Sequence, residues 1–254
     1  MIATELAHLL QPLSLKAGDL HIWLVFADFQ YDAAPAAYEA LLSPDEHERW
    51  QRFQRPETRR QFVISRALLR TTLSRYHDLP PHAWRFVTNR HGRPEIADPE
   101  LSAALRFNLS HTDGLIALGV TGGHAIGVDV EYCARTGDLI GIAERFFSTQ
   151  EYRDLLALPE DRHRDRFFDY WTLKESYIKA RGMGLALPLG QFSFDLTAGN
   201  GSIRIAFTER IADEPARWRF WLSSPSPQHR IAVCVERDAN APTVIAMRAE
   251  ALLG

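Results

Sequence analysis

Residues 126–131 read IGVDVE, which sets Asp129 and Glu131 two positions apart in a run otherwise made of Ile, Gly and Val. In a strand such residues share one face, with Cα atoms roughly 6.6 Å apart. Like charges held side by side cost free energy unless something positive lies between them. Two carboxylates on one face can share a hard divalent cation such as Mg²⁺, which takes oxygen ligands and keeps waters that a phosphate can replace. They can also be a solvated acidic edge. Glu175 adds a third acid in an apolar, aromatic stretch, FFDYWTLKESYI, where a carboxylate needs a partner. That partner is either the same cation or Lys179 at i,i+4. His111, in FNLSHTDG, stands just after an expected strand with Ser110 and Thr112 beside a tight turn. It suits either a phosphate contact or a local turn bond.

The chain holds 26 arginines and only three lysines, Lys16, Lys174 and Lys179. Two of the three fall in WTLKESYIKARG, so the compact ammonium is placed there as a point charge suited to phosphate. A net charge of −3 gives no global attraction to nucleic acid. No apolar run approaches the roughly 20 residues that span a bilayer. Glu5 and the lack of a basic start argue against a secretory signal, so the chain reads as cytoplasmic. Cys133 and Cys234 lack any ligand or CxxC spacing and read as two reduced thiols.

The elements that must position these groups are legible from pattern. DLHIWLVFADF (19–29) alternates as a strand, and SPDEHERWQRF opens a helix with an N-cap Ser, Pro and acids. A long amphipathic helix follows over 57–76, then a short strand at 84–88 and a turn at His91–Pro94. Residues 105–133 read as three strands of an antiparallel meander. Two more helices end at Gly182, and strands are expected near 191–196, 202–208, 217–222 and 230–236. At an offset of 105 residues, strand, first helix and second helix recur in the same order: HIWLVF over IGVDVE, SPDEHER over STQEYRD, QFVISRALLR over RFFDYWTLKE. Such a chain is an α/β (α+β) protein of two similar halves, each a small antiparallel sheet packed with helices. They are expected at 1–105 and 106–254, facing one another. In this alignment Leu24, Phe26 and Arg70 stand opposite Asp129, Glu131 and Glu175, so only the second half keeps acids.

FNLSHT, IGVDVE, RFFSTQEY and FFDYWTLKESYIKARGMGL, in this order and spacing, resemble the Sfp-type 4′-phosphopantetheinyl transferases over roughly residues 40–200. The resemblance implies a fold of two pseudo-twofold-related halves with the site between them. It implies transfer of the phosphopantetheine arm of coenzyme A to a serine of an acyl, peptidyl or polyketide carrier protein, with Mg²⁺ required and 3′,5′-ADP released. Carried over by position, Asp129, Glu131 and Glu175 hold the metal, and Glu175 is also the base for the serine. Lys179, Lys174, Ser110 and His111 then meet coenzyme A, with Lys179 acting in catalysis. Arg93 and Pro94 match the family's Gly-Lys-Pro turn against adenine, with Arg in place of Lys. Arg60, or Arg59 one register away, matches the contact to the 3′-phosphate. One half serving as partner to the other implies an active monomer. A Mg²⁺-dependent pyrophosphate hydrolase and a non-catalytic binder of coenzyme A or carrier protein are the alternative readings.

Overall fold

The computed structural model describes residues 12–16, 18–28, 36–197, 202–237 and 244–248. The N-terminal segment read above for signal character, and Phe29 of the expected first strand, lie outside them. The chain opens with β1 (Leu20–Phe26), α1 (Ala36–Glu39), α2 (Pro44–Arg52) and α3 (Pro56–Leu73). A hairpin of β2 (Phe86–Thr88) and β3 (Pro94–Ile96), then α4 (Pro99–Ala104), leads to β4 (Arg106–Thr112) and β5 (Leu115–Thr121). The second part runs β6 (Ile126–Tyr132), α5 (Leu139–Phe146), α6 (Thr149–Leu156) and α7 (Glu160–Arg181). It closes with β7 (Phe192–Asp195), β8 (Arg204–Phe207), β9 (Trp218–Ser226), β10 (His229–Glu236) and β11 (Val244–Arg248).

Two sheets lie face to face. The first has strand order β11-β1-β5-β4 and the second β6-β10-β9. Helix α3 packs on the outer face of the first sheet, where Trp23 and Val25 meet Val63, Ile64, Ala67 and Leu68. Helix α7 packs on the outer face of the second through Phe168, Leu173 and Tyr177. Between the sheets lies a seam of ten buried apolar residues, including Leu20, Ile22, Leu115, Ile126, Val128 and Val233. At about 1.5–3 kcal/mol for each larger side chain, this seam outweighs the polar bonds that cross it, each worth about 0.5–1.5 kcal/mol. Apolar burial therefore joins the halves.

The expected meander does not form. β4 and β5 pair as a hairpin, but β6 leaves that sheet and pairs with β10 instead. Its outer edge is covered by side chains rather than by another backbone. Asn108 Oδ1, Ser110 Oγ and Thr112 Oγ1 accept the amides of Val128, Val130 and Tyr132 at 2.7, 3.3 and 3.1 Å. The alternating polar residues of FNLSHT therefore lie within β4, on one face, and the turn comes later at Gly114, where φ is +74°. By sheet membership the division falls after Thr121 rather than at 105, and β11, which sequence patterning missed, returns to β1 in parallel.

The internal repeat is visible in the caps. Ser43 with Glu46 and Ser148 with Glu151, 105 residues apart, form matching capping boxes at the starts of α2 and α6. Each box glutamate is then gripped by a base from the long helix. Arg70 reaches Glu46 at 2.7 Å and also donates to the carbonyls of Pro81 and Trp84. Lys174 reaches Glu151 at 2.6 Å and donates to Leu189 and Phe192. The counterpart of Lys174 is thus Arg70, which aligns the helices at 104 residues and sets Glu175 against Thr71. In β1, Leu24 and Phe26 face the seam, whereas Trp23 and Val25 face the helix, as Asp129 and Glu131 do. Because side chains alternate along a strand, the 105-residue alignment placed the strands on opposite faces. The true counterparts of Asp129, Glu131 and Glu175 are Trp23, Val25 and Thr71, which still supply no carboxylate.

Candidate active site

Gly127 determines how the acids meet the long helix. A Cβ at this position would lie 1.9 Å from the Ser176 carbonyl and 2.4 Å from the Ala180 amide, so α7 rests backbone to backbone on β6. This draws one face of α7, carrying Glu175 and Lys179, over Asp129. Lys179 Nζ lies 2.6 Å from Asp129 Oδ1 and 2.8 Å from Ser110 Oγ. Helix α7 ends as expected on Gly182 in the left-handed region, φ +62°.

Glu131 is held at both oxygens: Trp171 Nε1 donates to Oε1 at 2.8 Å, and Arg135 Nη1 lies 3.1 Å from Oε2. Asp129 is 4% exposed, and its Oδ2 is buried without a hydrogen-bond partner. Burial raises its pKa against the opposing pull of Lys179. Burial, then repulsion from Asp129, pushes Glu131 up to about 7. The same two causes, in the same order, raise Glu175. Three oxygen-only groups that destabilise one another's charge around an orphaned oxygen are a donor set that fits a hard divalent cation. Among the described residues no three acidic, His or Cys side chains converge to hold a metal, and Lys179 and Arg135 are paired with two of these acids.

A cavity of about 290 Å³ is lined by His91, Gly92, Arg93, Pro94, Asn108, Glu175, Lys179 and Gly184 among others. It joins the β2–β3 hairpin and β4 of the first part to α7 of the second. Arg93 and Pro94 are therefore at the cavity, but the Arg93 guanidinium is committed to protein. It donates to the carbonyls of Lys179, Ala180, Phe107 and Ile126 at 2.6, 3.0, 3.2 and 3.0 Å. The planar fork clamps α7, β4 and β6 together, a task that a lysine ammonium with three donors cannot reproduce.

Lys174 requires a correction. It is fully buried, and its ammonium is bonded to Glu151 and two carbonyls, so it faces no ligand. The reason is helical geometry: Lys174 and Glu175 differ by about 100° around α7, whereas Glu175 and Lys179 at i,i+4 share a face. His111 lies inside β4 rather than after it, with an exposed edge. Desolvation by its surroundings, then the charges of Lys179 and Arg66, hold its pKa below the ordinary imidazole value. Arg59 is engaged by the Phe53 and Gln51 carbonyls, and Arg60 is half-buried on the first turn of α3, outside the residues lining the cavity.

Sequence reasoning missed Asn108, whose period-2 polar spacing with Ser110 and Thr112 was the available signal. It also missed Trp171, 40 residues from Glu131, and Arg135, which meets Glu131 at i,i+4.

Two facing sheets with flanking helices carry a cavity lined by Glu175 and Lys179, and the Lys179 ammonium is paired with Asp129. A family model described as 4′-phosphopantetheinyl transferase superfamily matches residues 125–234, and another, described as 4′-phosphopantetheinyl transferase, N-terminal, matches 32–121. The chain is 38% identical over 174 residues to the 4′-phosphopantetheinyl transferase HetI of Nostoc sp., covering 68% of this chain and 73% of that one. It is 34% identical over 197 residues to the 4′-phosphopantetheinyl transferase Sfp of Bacillus subtilis, covering 78% and 83%. To the 4′-phosphopantetheinyl transferase ffp of Bacillus subtilis it is 33% identical over 214 residues, covering 84% and 91%. The chain belongs to the 4′-phosphopantetheinyl transferase family.

Among the described residues no helix is long and apolar enough to cross a membrane.

Proposed function

We propose that this chain transfers the 4′-phosphopantetheine group of coenzyme A to a serine of an acyl, peptidyl or polyketide carrier protein, releasing 3′,5′-ADP. It does so as a cytoplasmic monomer whose site lies between the two halves. The observation that carries the reading is Lys179, 2.6 Å from Asp129 and 2.8 Å from Ser110, at a cavity to which both halves contribute. Asp129, Glu131 and Glu175 would hold Mg²⁺. When bound, the ion neutralises charge on the pyrophosphate as the phosphate–oxygen bond breaks.

The chain's own residues account for the rest. Lys179 is the ammonium that meets the pyrophosphate, exchanging Asp129 for phosphate oxygen as its counter-charge. Ser110 shares that ammonium, and His111 adds a second donor once an anion raises its proton affinity. Pro94 and the Arg93 backbone form the wall for the adenine, while the Arg93 side chain keeps that wall fixed to α7. Arg60 is assigned to the 3′-phosphate by the resemblance alone. Glu175, on the cavity wall, accepts the proton of the attacking serine hydroxyl, which is a poor nucleophile until a carboxylate removes it.

Incubation with coenzyme A, Mg²⁺ and an apo carrier protein, followed by intact mass of the carrier, tests this. A carrier heavier by one phosphopantetheine group is expected. Cleaved coenzyme A with unmodified carrier would make the chain a hydrolase, and neither change would make it a binder.

A further inference from the structure

Arg135 lies in the turn after β6, three residues before Asp138, the N-cap of α5. Three contacts fix it. Arg164, near the start of α7, donates from one nitrogen to the carbonyls of Cys133 and Arg135 at 2.9 and 2.8 Å, which ties the turn to the helix. The Arg135 guanidinium then lies over the Phe168 ring, 5.2 Å from its centroid, and meets Glu131 Oε2 at 3.1 Å. Glu131 Oε1 is meanwhile held by Trp171, so the carboxylate's orientation is set while its second oxygen carries a guanidinium.

We propose that Arg135 is an internal counter-cation that occupies the metal-binding oxygen of Glu131, and that a divalent ion must displace it in order to bind. This rests on the assignment of Asp129 and Glu131 as metal carboxylates. Lys179 at Asp129 is a second such cation, but it has a phosphate to receive it, whereas Arg135 belongs to no part of the coenzyme A site. Its effect is therefore on the metal: it stabilises the metal-free acids and raises the concentration of ion needed to fill the site. Phe168 gives the displaced guanidinium a face to remain on, because cation–π attraction does not require the carboxylate.

The pair is half open to solvent, with the Arg135 side chain 42% exposed, so screening keeps the effect moderate. Removing the charge should tighten metal binding about three- to tenfold. The experiment is titration of the full chain with Mn²⁺, followed by electron paramagnetic resonance of the free ion, with coenzyme A present and carrier protein absent. Arg135→Gln should bind Mn²⁺ about three- to tenfold more tightly than the unsubstituted chain, and Arg135→Lys should fall between them. Arg145→Gln, which removes the same charge from the exposed face of α5, should leave the affinity unchanged. Equal affinities for Arg135→Gln and the unsubstituted chain, or an equal shift in Arg145→Gln, would overturn the proposal. Mn²⁺ binding that Asp129→Asn does not weaken would instead overturn the metal assignment on which it stands. Matching thermal melts of the variants separate these outcomes from misfolding.

Discussion

In the first half Arg75 lies over the Trp23 ring, 4.7 Å from its centroid, and in the second Lys179 lies 2.6 Å from Asp129. The two pairs hold equivalent places, a basic residue near the end of the long helix above a residue on the helix-facing side of the first strand. One strand position separates a cation–π contact from an ion pair. The next pair of equivalent positions explains the difference in geometry. Where β6 has Gly127, β1 has His21, buried and bonded through Nδ1 to Tyr76 Oη at 2.7 Å. That imidazole fills the space that α7 occupies with its own backbone. The first half is thus a filled core with its ring and cation stacked, and the second is a close-packed helix and strand whose Glu175 and Lys179 line a cavity. What the halves share, the capping-box glutamate and its buried base, is structural, because the half without acids has it too.

The largest effect is expected at Gly127. Gly127→Ala places a Cβ within 2.4 Å of backbone on two sides, which no rotamer change relieves, so α7 must shift or the domain must loosen. Activity should fall below detection, with a melting temperature lowered by roughly 10 °C or more. Gly119→Ala meets only the ends of Ile126, Val128 and Ile22 side chains and should cost less, an ordering that thermal melts check directly.

Next come the buried pairs. Lys174→Met leaves Glu151 charged and buried without its cation, with only Ser148 and the Phe194 amide to bond it, and Arg70→Met removes the nearer cation from Glu46. Each should cost about 3–5 kcal/mol, the second less because Glu46 is 14% exposed and also meets Arg66. Denaturant melts would show this. The double variant Lys174→Met with Glu151→Gln should recover part of the loss. If Lys174→Met folds as stably as the parent and raises only the KM for coenzyme A, Lys174 is a ligand contact after all.

A smaller change in stability but a larger one in function separates Lys179 from Arg75. Lys179→Met should raise the KM for coenzyme A about a hundredfold, the scale of a charge-assisted phosphate contact, while the KM for carrier protein changes little. Arg75→Met should leave both within about twofold and cost about 1 kcal/mol of stability through the lost contact with Trp23. Finally, Asp129→Asn should lose transfer by weakening metal binding, and excess Mg²⁺ should restore part of it. Glu175→Gln should resist such rescue, because a base is lost as well.

How much of this the sequence discloses depends on how local each determinant is. Helices α3 and α7, both capping boxes, the Gly182 stop and the acid pair follow from spacing within a few residues. The departure of β6 from β5 does not, because strand pairing is non-local and IGVDVE fits a meander as well as a separate sheet. Asn108, Ser110 and Thr112 carried the clue as polar residues on one face of a strand, yet what they satisfy is an edge from another sheet. The repeat was readable, but its register was not: helices align at 104 residues and strands by the face they present. Charge read without angle put Lys174 on the ligand side of α7, whereas i,i+4 spacing sets Lys179 on the face of Glu175, where it pairs with Asp129.

The asymmetry of the halves is tested most directly by calorimetric titration of coenzyme A in the presence of Mg²⁺. The proposed site uses the second half's acids and Lys179, and Trp23, Val25 and Thr71 offer nothing equivalent, so binding should saturate at about one coenzyme A per chain. That single site should be lost in Lys179→Met and retained in Arg75→Met. Two sites per chain, or loss of binding in Arg75→Met, would contradict the account.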